Sequence, residues 1–255
     1  MSNSPPKGTT ALLSDTRQLC GEYMNAVMSL ALDAARDPAY GTNNLLVLAI
    51  EDHLEASVSL PEMASRGLVN TCRRELRFPL EASIKLCYVE HALPSGSIDD
   101  KLASLRSALD SPNIGLRNHF ELPLLPQDER VRFSAEVGRL YGQTSNYVHL
   151  TFAQVEERDR LIRQGAQPLT PSEHTIEPLL GLMSRVLAAS FVYIAHAVPA
   201  FAVGDLLVRE NGYSHSWALS GHRWIALLDE YFDYKQERRA NIDDIRRLRW
   251  NRVTV

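Results

Sequence analysis

Three hydrogen-bonding side chains recur at intervals of four in RLYGQTSNYVHLT, residues 139–151: Tyr141, Ser145 and His149. At about 100° per residue, that spacing sets a phenol, a hydroxyl and an imidazole along one flank of a helix. These groups can pass a proton or satisfy a charged partner. Arg77 and Glu81, also four apart, border the apolar stripe of CRRELRFPLEASIKLCYVEH, residues 72–91. A guanidinium carries five donors, and one carboxylate does not occupy them all beside a core. The five side chains are therefore expected to meet across a helix pair, away from bulk water. Such a network serves either to fix helix register or to carry chemistry.

The elements that would hold these residues read as helices, because period-3.6 patterns dominate and strand-like alternation is scarce. Helices are expected over about 14–36 and about 43–60, and from Pro61 to His91 with a kink or break near Phe78 caused by Pro79. A short helix follows Ser97, and Pro112, Gly115, Pro123 and Pro126 mark residues 111–127 as a long loop. The next helix covers about 128–163, bends near 149–151, and gathers Phe133, Val137, Leu140, Tyr141, Thr144 and Val148 on its packed side. Thr170-Pro171-Ser172-Glu173 predicts a helix start with Thr170 as N-cap. That helix runs toward Glu210, kinks at Pro199 and ends at Asn211-Gly212. One or two helices occupy Ser214 to Trp250.

The fold expected is all-α: an antiparallel helical bundle with additional C-terminal helices. It forms one helical domain over residues 14–255 after a flexible N-terminus, residues 1–13, with 165–170 as the candidate subdomain joint. The 45% hydrophobic and 23% charged fractions predict a packed core and exclude the disordered and low-complexity classes. A net charge of -4 gives no global signature of nucleic-acid binding. Locally the C-terminus differs. From Lys235 onward seven Lys or Arg face three acids, and Arg246, Arg247, Arg249 and Trp250 form a candidate contact for RNA or an acidic partner.

Cys20, Cys72 and Cys87 lack paired spacing, which argues for a cytoplasmic protein without disulfides or a zinc knuckle. VLAASFVYIAHAVPAFAVG, residues 186–204, matches a membrane span in length, yet its polar interruptions and the striped approach to it predict a buried core helix. No HExxH or paired ExxH occurs; His215 and His222, seven apart, would share a helix face, but no carboxylate sits at ligand spacing beside them, and Trp217 and Trp224 suggest a packed amphipathic helix. No metal or cofactor is expected. Glu51, Asp52, His53 and Glu55 read as a solvated face. Nucleotide-fold and hydrolase-fold motifs are missing from the chain.

Arg77-x-x-x-Glu81 followed by Tyr141-x-x-x-Ser145-x-x-x-His149 resembles a pattern in uncharacterised helical bacterial proteins, which in turn resemble the HEPN (higher eukaryotes and prokaryotes nucleotide-binding) superfamily. The resemblance implies a helical bundle, often dimeric, found among toxins and phage-defence components, some of which cleave RNA without a metal. Active members carry Arg, four to six residues, then His, paired at a dimer interface. Arg139 and His149 are too far apart for that motif, whereas Arg209-Glu-Asn-Gly-Tyr-Ser-His215 fits it. In that case His215 acts as general acid or base and Arg209 stabilises phosphate charge. Two functions stay open: a HEPN-like homodimeric interaction module or RNA-cleaving toxin of a bacterial defence or stress system, and a noncatalytic scaffold or partner-binding protein whose polar network is structural.

Overall fold

A computed structural model of the chain describes residues 8–38, 40–109, 117–118 and 120–253. The helices are α1 (Thr9–Ala34), α2 (Leu45–Ser65), α3 (Val69–Glu75), α4 (Arg77–Ala92), α5 (Ile98–Leu109), α6 (Gln127–Ser145), α7 (Phe152–Arg163), α8 (Glu173–His196), α9 (Ala200–Leu207), α10 (Arg223–Tyr231) and α11 (Ile242–Arg252). The fold is all-α; among the described residues the one β-type pairing is an isolated antiparallel bridge between Val208 and Ser214.

α8 is the axis of the bundle. From Val186 to His196 every residue is buried, and two thirds of the helix's most apolar window is covered by the protein itself. The segment that matched a membrane span in length is thus the central core helix. α1 lays Leu12, Thr16, Leu19, Tyr23, Val27 and Leu30 against this axis at helical spacing. The ends fix direction: Gly8 lies beside Glu173, Asn44 donates to the Ala197 carbonyl, and Gly67 packs on the backbone of Leu169. α2 therefore runs against both α1 and α8. A single hydrophobic core extends from Leu12 to Phe232 and takes in every major helix except α5, α7 and α11.

Several boundaries differ from expectation, each for a local reason. α1 begins at Thr9 with Gly8 as its N-cap, so residues 9–13 are helical and not part of a flexible lead-in; residues 1–7 lie outside the described set. Pro61 sits inside α2, whose C-terminus comes at Ser65. The break before α4 falls at Leu76, which places Pro79 in the first turn, where its missing N–H costs nothing. Ser172, not Thr170, caps α8, sharing a reciprocal capping box with Thr175. α8 and α9 are separate helices divided at Pro199. Pro112 and Gly115 of the expected loop lie outside the described residues, while Leu122, Leu124 and Leu125 of its second half are buried in the core. His53 leaves the expected solvated face of α2 and is 1% exposed, with Nδ1 3.3 Å from the Tyr23 hydroxyl.

Candidate functional site

α4 brings Arg77 and Glu81 to the seam with α6. Arg77 Nε donates to Glu81 Oε1 at 2.8 Å and Nη2 donates to the Tyr141 hydroxyl at 2.7 Å. The guanidinium also lies over the Tyr141 ring, 4.7 Å from its centroid. Burial and the Glu81 charge raise the Tyr141 pKa against the opposing Arg77 charge, so the phenol stays protonated at neutral pH. Ser145 Oγ is shielded from water and lies close to Tyr141.

His149 does not join this group. α6 stops at Ser145 and the chain turns through Asn146, Tyr147 and Val148, which leaves His149 exposed beyond the helix end. The cause is the next helix: Thr151 accepts from Gln154 N as the N-cap of α7, and the Gln154 side chain donates to Asn146 O at 2.6 Å. The expected bend is thus a break, and Val148 also leaves the packed side.

One turn before Arg77, a second arginine repeats the arrangement. Arg73 of α3 forms a forked pair with Glu157 of α7, at 2.9 and 3.1 Å, and its guanidinium stacks 4.4 Å from the Tyr147 ring centroid. The Tyr147 hydroxyl donates to Glu157 Oε2 at 2.9 Å. Burial opposes ionisation of Glu157, but the Arg73 hydrogen bonds and charge outweigh it and hold the carboxyl below its ordinary range. The sequence signal for this set was the Arg73 to Arg77 spacing of four, the same as that of Arg77 and Glu81.

Arg73 also forms one wall of a half-open cleft of about 540 Å³ between α3, α7, the 165–170 turn and the first turn of α8. Its shape follows from two helix ends. α2 closes with Leu68 N bonded to Met63 O and Gly67 N to Ala64 O; α7 closes in the same way, with Ala166 N bonded to Leu161 O and Gly165 N to Ile162 O. Gly67 has φ +67°, and a Cβ there would meet the Leu169 carbonyl carbon at 2.6 Å, so the two turns touch backbone to backbone.

Arg209 and His215 lie on a tight turn between α9 and α10 rather than on a helix. Arg209 N bonds to Tyr213 O, Gly212 N to Arg209 O, and His215 N to Leu207 O. Both side chains are exposed. Partial burial, then the Arg209 charge, lowers the His215 pKa, so its imidazole is neutral at pH 7. The crevice behind His215 measures about 10 Å³, room for a single water. His222 is the N-cap of α10, so it shares no helical face with His215. No three His, Cys, Asp or Glu side chains converge as metal ligands among the described residues.

No protein-family model, curated protein or solved structure matches this chain. The geometry has to speak for itself.

At the C-terminus the expected basic contact is largely spent on internal partners. Arg249 is a correction: it is 3% exposed, with Nε donating to Asp229 at 2.6 Å and Nη2 to Asp233 at 2.5 Å. Arg238, fully buried, holds the same two aspartates, and Ser214 donates to Asp229 at 2.7 Å. Burial disfavours the Asp233 carboxylate, and hydrogen bonds from Arg249, Arg246 and Arg238 overcome it. Arg246 pairs outward with Asp233 and Arg247 with Asp244, which leaves Trp250 half-exposed beside neutralised charges.

Proposed function

We propose that this chain is a noncatalytic, HEPN-like interaction module of a bacterial defence or stress system, acting in the cytoplasm as a homodimer paired through α7. The observation that carries this reading is the inversion of α7. Its inward side is polar, with Gln154 buried and Glu157 tied to Arg73, while Phe152, Val155 and Ile162 share an outward arc of about 80°. Phe152 is 82% exposed, and Leu150, two residues before it, is exposed as well. A helix that turns its apolar stripe to solvent is a contact surface without its contact.

The stripe is also self-complementary. Two copies crossing antiparallel about Glu157 set Phe152 opposite Ile162 of the partner subunit, as a two-fold interface requires. Light scattering coupled to size exclusion tests this: the wild type should run at twice 28.6 kDa. Phe152→Asp and Ile162→Asp should run as monomers, and Leu32→Asp, on exposed α1 surface, should remain dimeric. A monomeric wild type at tens of micromolar would overturn the pairing.

The RNA-cleaving alternative draws on one observation, the neutral His215 imidazole within electrostatic reach of Arg209. Against it stands a crevice sized for one water, where pockets that enclose a ligand are far larger. Total RNA incubated with the wild type should remain intact. Cleavage lost in both Arg209→Ala and His215→Ala would replace the noncatalytic reading.

A further inference from the structure

The charges around the 540 Å³ cleft do not cancel. Its lining holds Arg73, Arg74 and Arg158 against one carboxylate, Glu157, and that carboxylate is already occupied by Arg73 and Tyr147. Among the described residues Arg74 donates only to the Thr71 hydroxyl and Arg158 has no acidic partner. Two guanidinium charges thus remain uncompensated inside one concavity of a protein whose net charge is -4. A third feature has the same sign. His174 and Thr175, in the first turn of the long helix α8, reach the rim, where the helix dipole favours negative charge.

The rest of the lining is apolar. Leu161 and Ile162 of α7 and Leu169 of the 165–170 turn face the space between the cations. Leu169 is held at φ +57°, a left-handed conformation that costs a leucine free energy, and remains 70% exposed. Strain that keeps an apolar side chain at the mouth of a cavity is the kind that binding sites retain. The volume suits a small organic molecule, since such sites measure roughly 300–1,000 Å³.

We propose that this cleft binds a small anionic amphiphile. Its acid group, a phosphate ester or a carboxylate, is held by Arg74 and Arg158 near the first turn of α8, and its apolar body lies along Leu161, Ile162 and Leu169. The Arg73–Glu157 pair positions the wall and leaves the other two arginines free for the ligand. This site shares Ile162 with the pairing face of α7, so its occupancy is measured on the monomeric Phe152→Asp protein as well as on the wild type.

Titration calorimetry of the full chain with octyl phosphate, octanoate, 1-octanol and inorganic phosphate, all below micelle-forming concentration, tests the assignment. Saturable uptake of one acid per chain is expected, with octanol and inorganic phosphate at least tenfold weaker because each lacks one half of the ligand. Preference for octyl phosphate assigns a phosphate ester, and equal binding of both acids assigns the acid group in general. The Arg74→Gln/Arg158→Gln protein should lose at least tenfold in affinity while keeping the wild-type melting curve. Phe152→Asp, whose changed residue lies outside the cleft lining, should bind at least as tightly as the wild type, which separates failure of the ligand site from failure of pairing through α7. Octanol binding as tightly as the acids, undiminished affinity in the double variant, or no uptake of either acid would overturn the proposal.

Discussion

Arg249 and Trp250 are adjacent in sequence and opposite in environment: one is 3% exposed and the other 40%. A count of charges along the C-terminus treats Arg249 as available to a polyanion, but Asp229 and Asp233, contributed by α10 and the turn after it, take it inward. Buried ions of this kind cost several kcal/mol each to desolvate, so removing one leaves its partners uncompensated. Asp229→Ala should therefore destabilise the protein by about 3–5 kcal/mol in urea denaturation, because it strands Arg238 and Arg249 together. Arg246→Ala, at the exposed rim of the same cluster, should cost less than about 1 kcal/mol. Equal effects of the two changes would mean that the cluster contributes nothing beyond surface charge. The Arg77, Glu81 and Tyr141 contact was legible because all three sit at helical spacing next to apolar stripes. The Asp229 cluster was not, since its carboxylates and arginines belong to elements whose contact no local pattern announces.

Helix existence was legible over most of the chain, because period-3.6 burial is a local property; helix ends were less so. The end of α6 shows why. Residues 145–151 contain no Gly or Pro, and the chain leaves the helix because Tyr147 is drawn to Glu157 and Arg73 and because Thr151 starts another helix. A signal for the second cause was present: Thr151-Phe-Ala-Gln154 has the spacing of a capping box. It was masked by the apolar periodicity that seemed to run through it, and with it went the place of His149. The first cause is tertiary and had no local signal. α7 makes this testable. Thr151→Ala should cost about 1 kcal/mol, with faster hydrogen exchange confined to α7, and Thr151→Ser should restore most of the protection. Uniform acceleration across α1, α4 and α8 instead would mean that α7 unfolds only with the whole bundle. Gly67→Ala belongs to the same scale. Its Cβ would press on the Leu169 carbonyl, so it should destabilise by more than about 1 kcal/mol, and it should also lower ligand uptake in the adjacent cleft.

Acid response belongs to the whole molecule, because the groups that set it lie in different layers of one core. His53 of α2 is 1% exposed, and His196, at the end of α8, is 8% exposed. Burial pushes the pKa of each from 6.5 down to about 4. His196 is fixed as the neutral ring: Nδ1 donates to Val192 O at 2.7 Å while Nε2 accepts from Leu124 N at 3.0 Å, so a second proton would break the tie that holds residues 122–125 on the core. Between pH 6.5 and 4 the unfolded chain binds these protons and the folded chain does not. The free energy of unfolding therefore falls as pH drops through that window, by about 2 kcal/mol per histidine at pH 5. Half-buried His222, lowered to about 4 in the same way, adds to the trend. The depressed carboxylates Glu136, Glu157 and Asp233 lose their contributions at lower pH, once the unfolded chain's acids begin to protonate, so the first part of the loss belongs to the imidazoles. His53→Leu isolates one share, because the Tyr23 hydroxyl keeps its 2.8 Å bond to Ser190 when the imidazole is removed. Urea midpoints should fall steadily from pH 7 to pH 5 in the wild type and less steeply in His53→Leu. Flat midpoints over that range would mean that both rings reach solvent in the folded state.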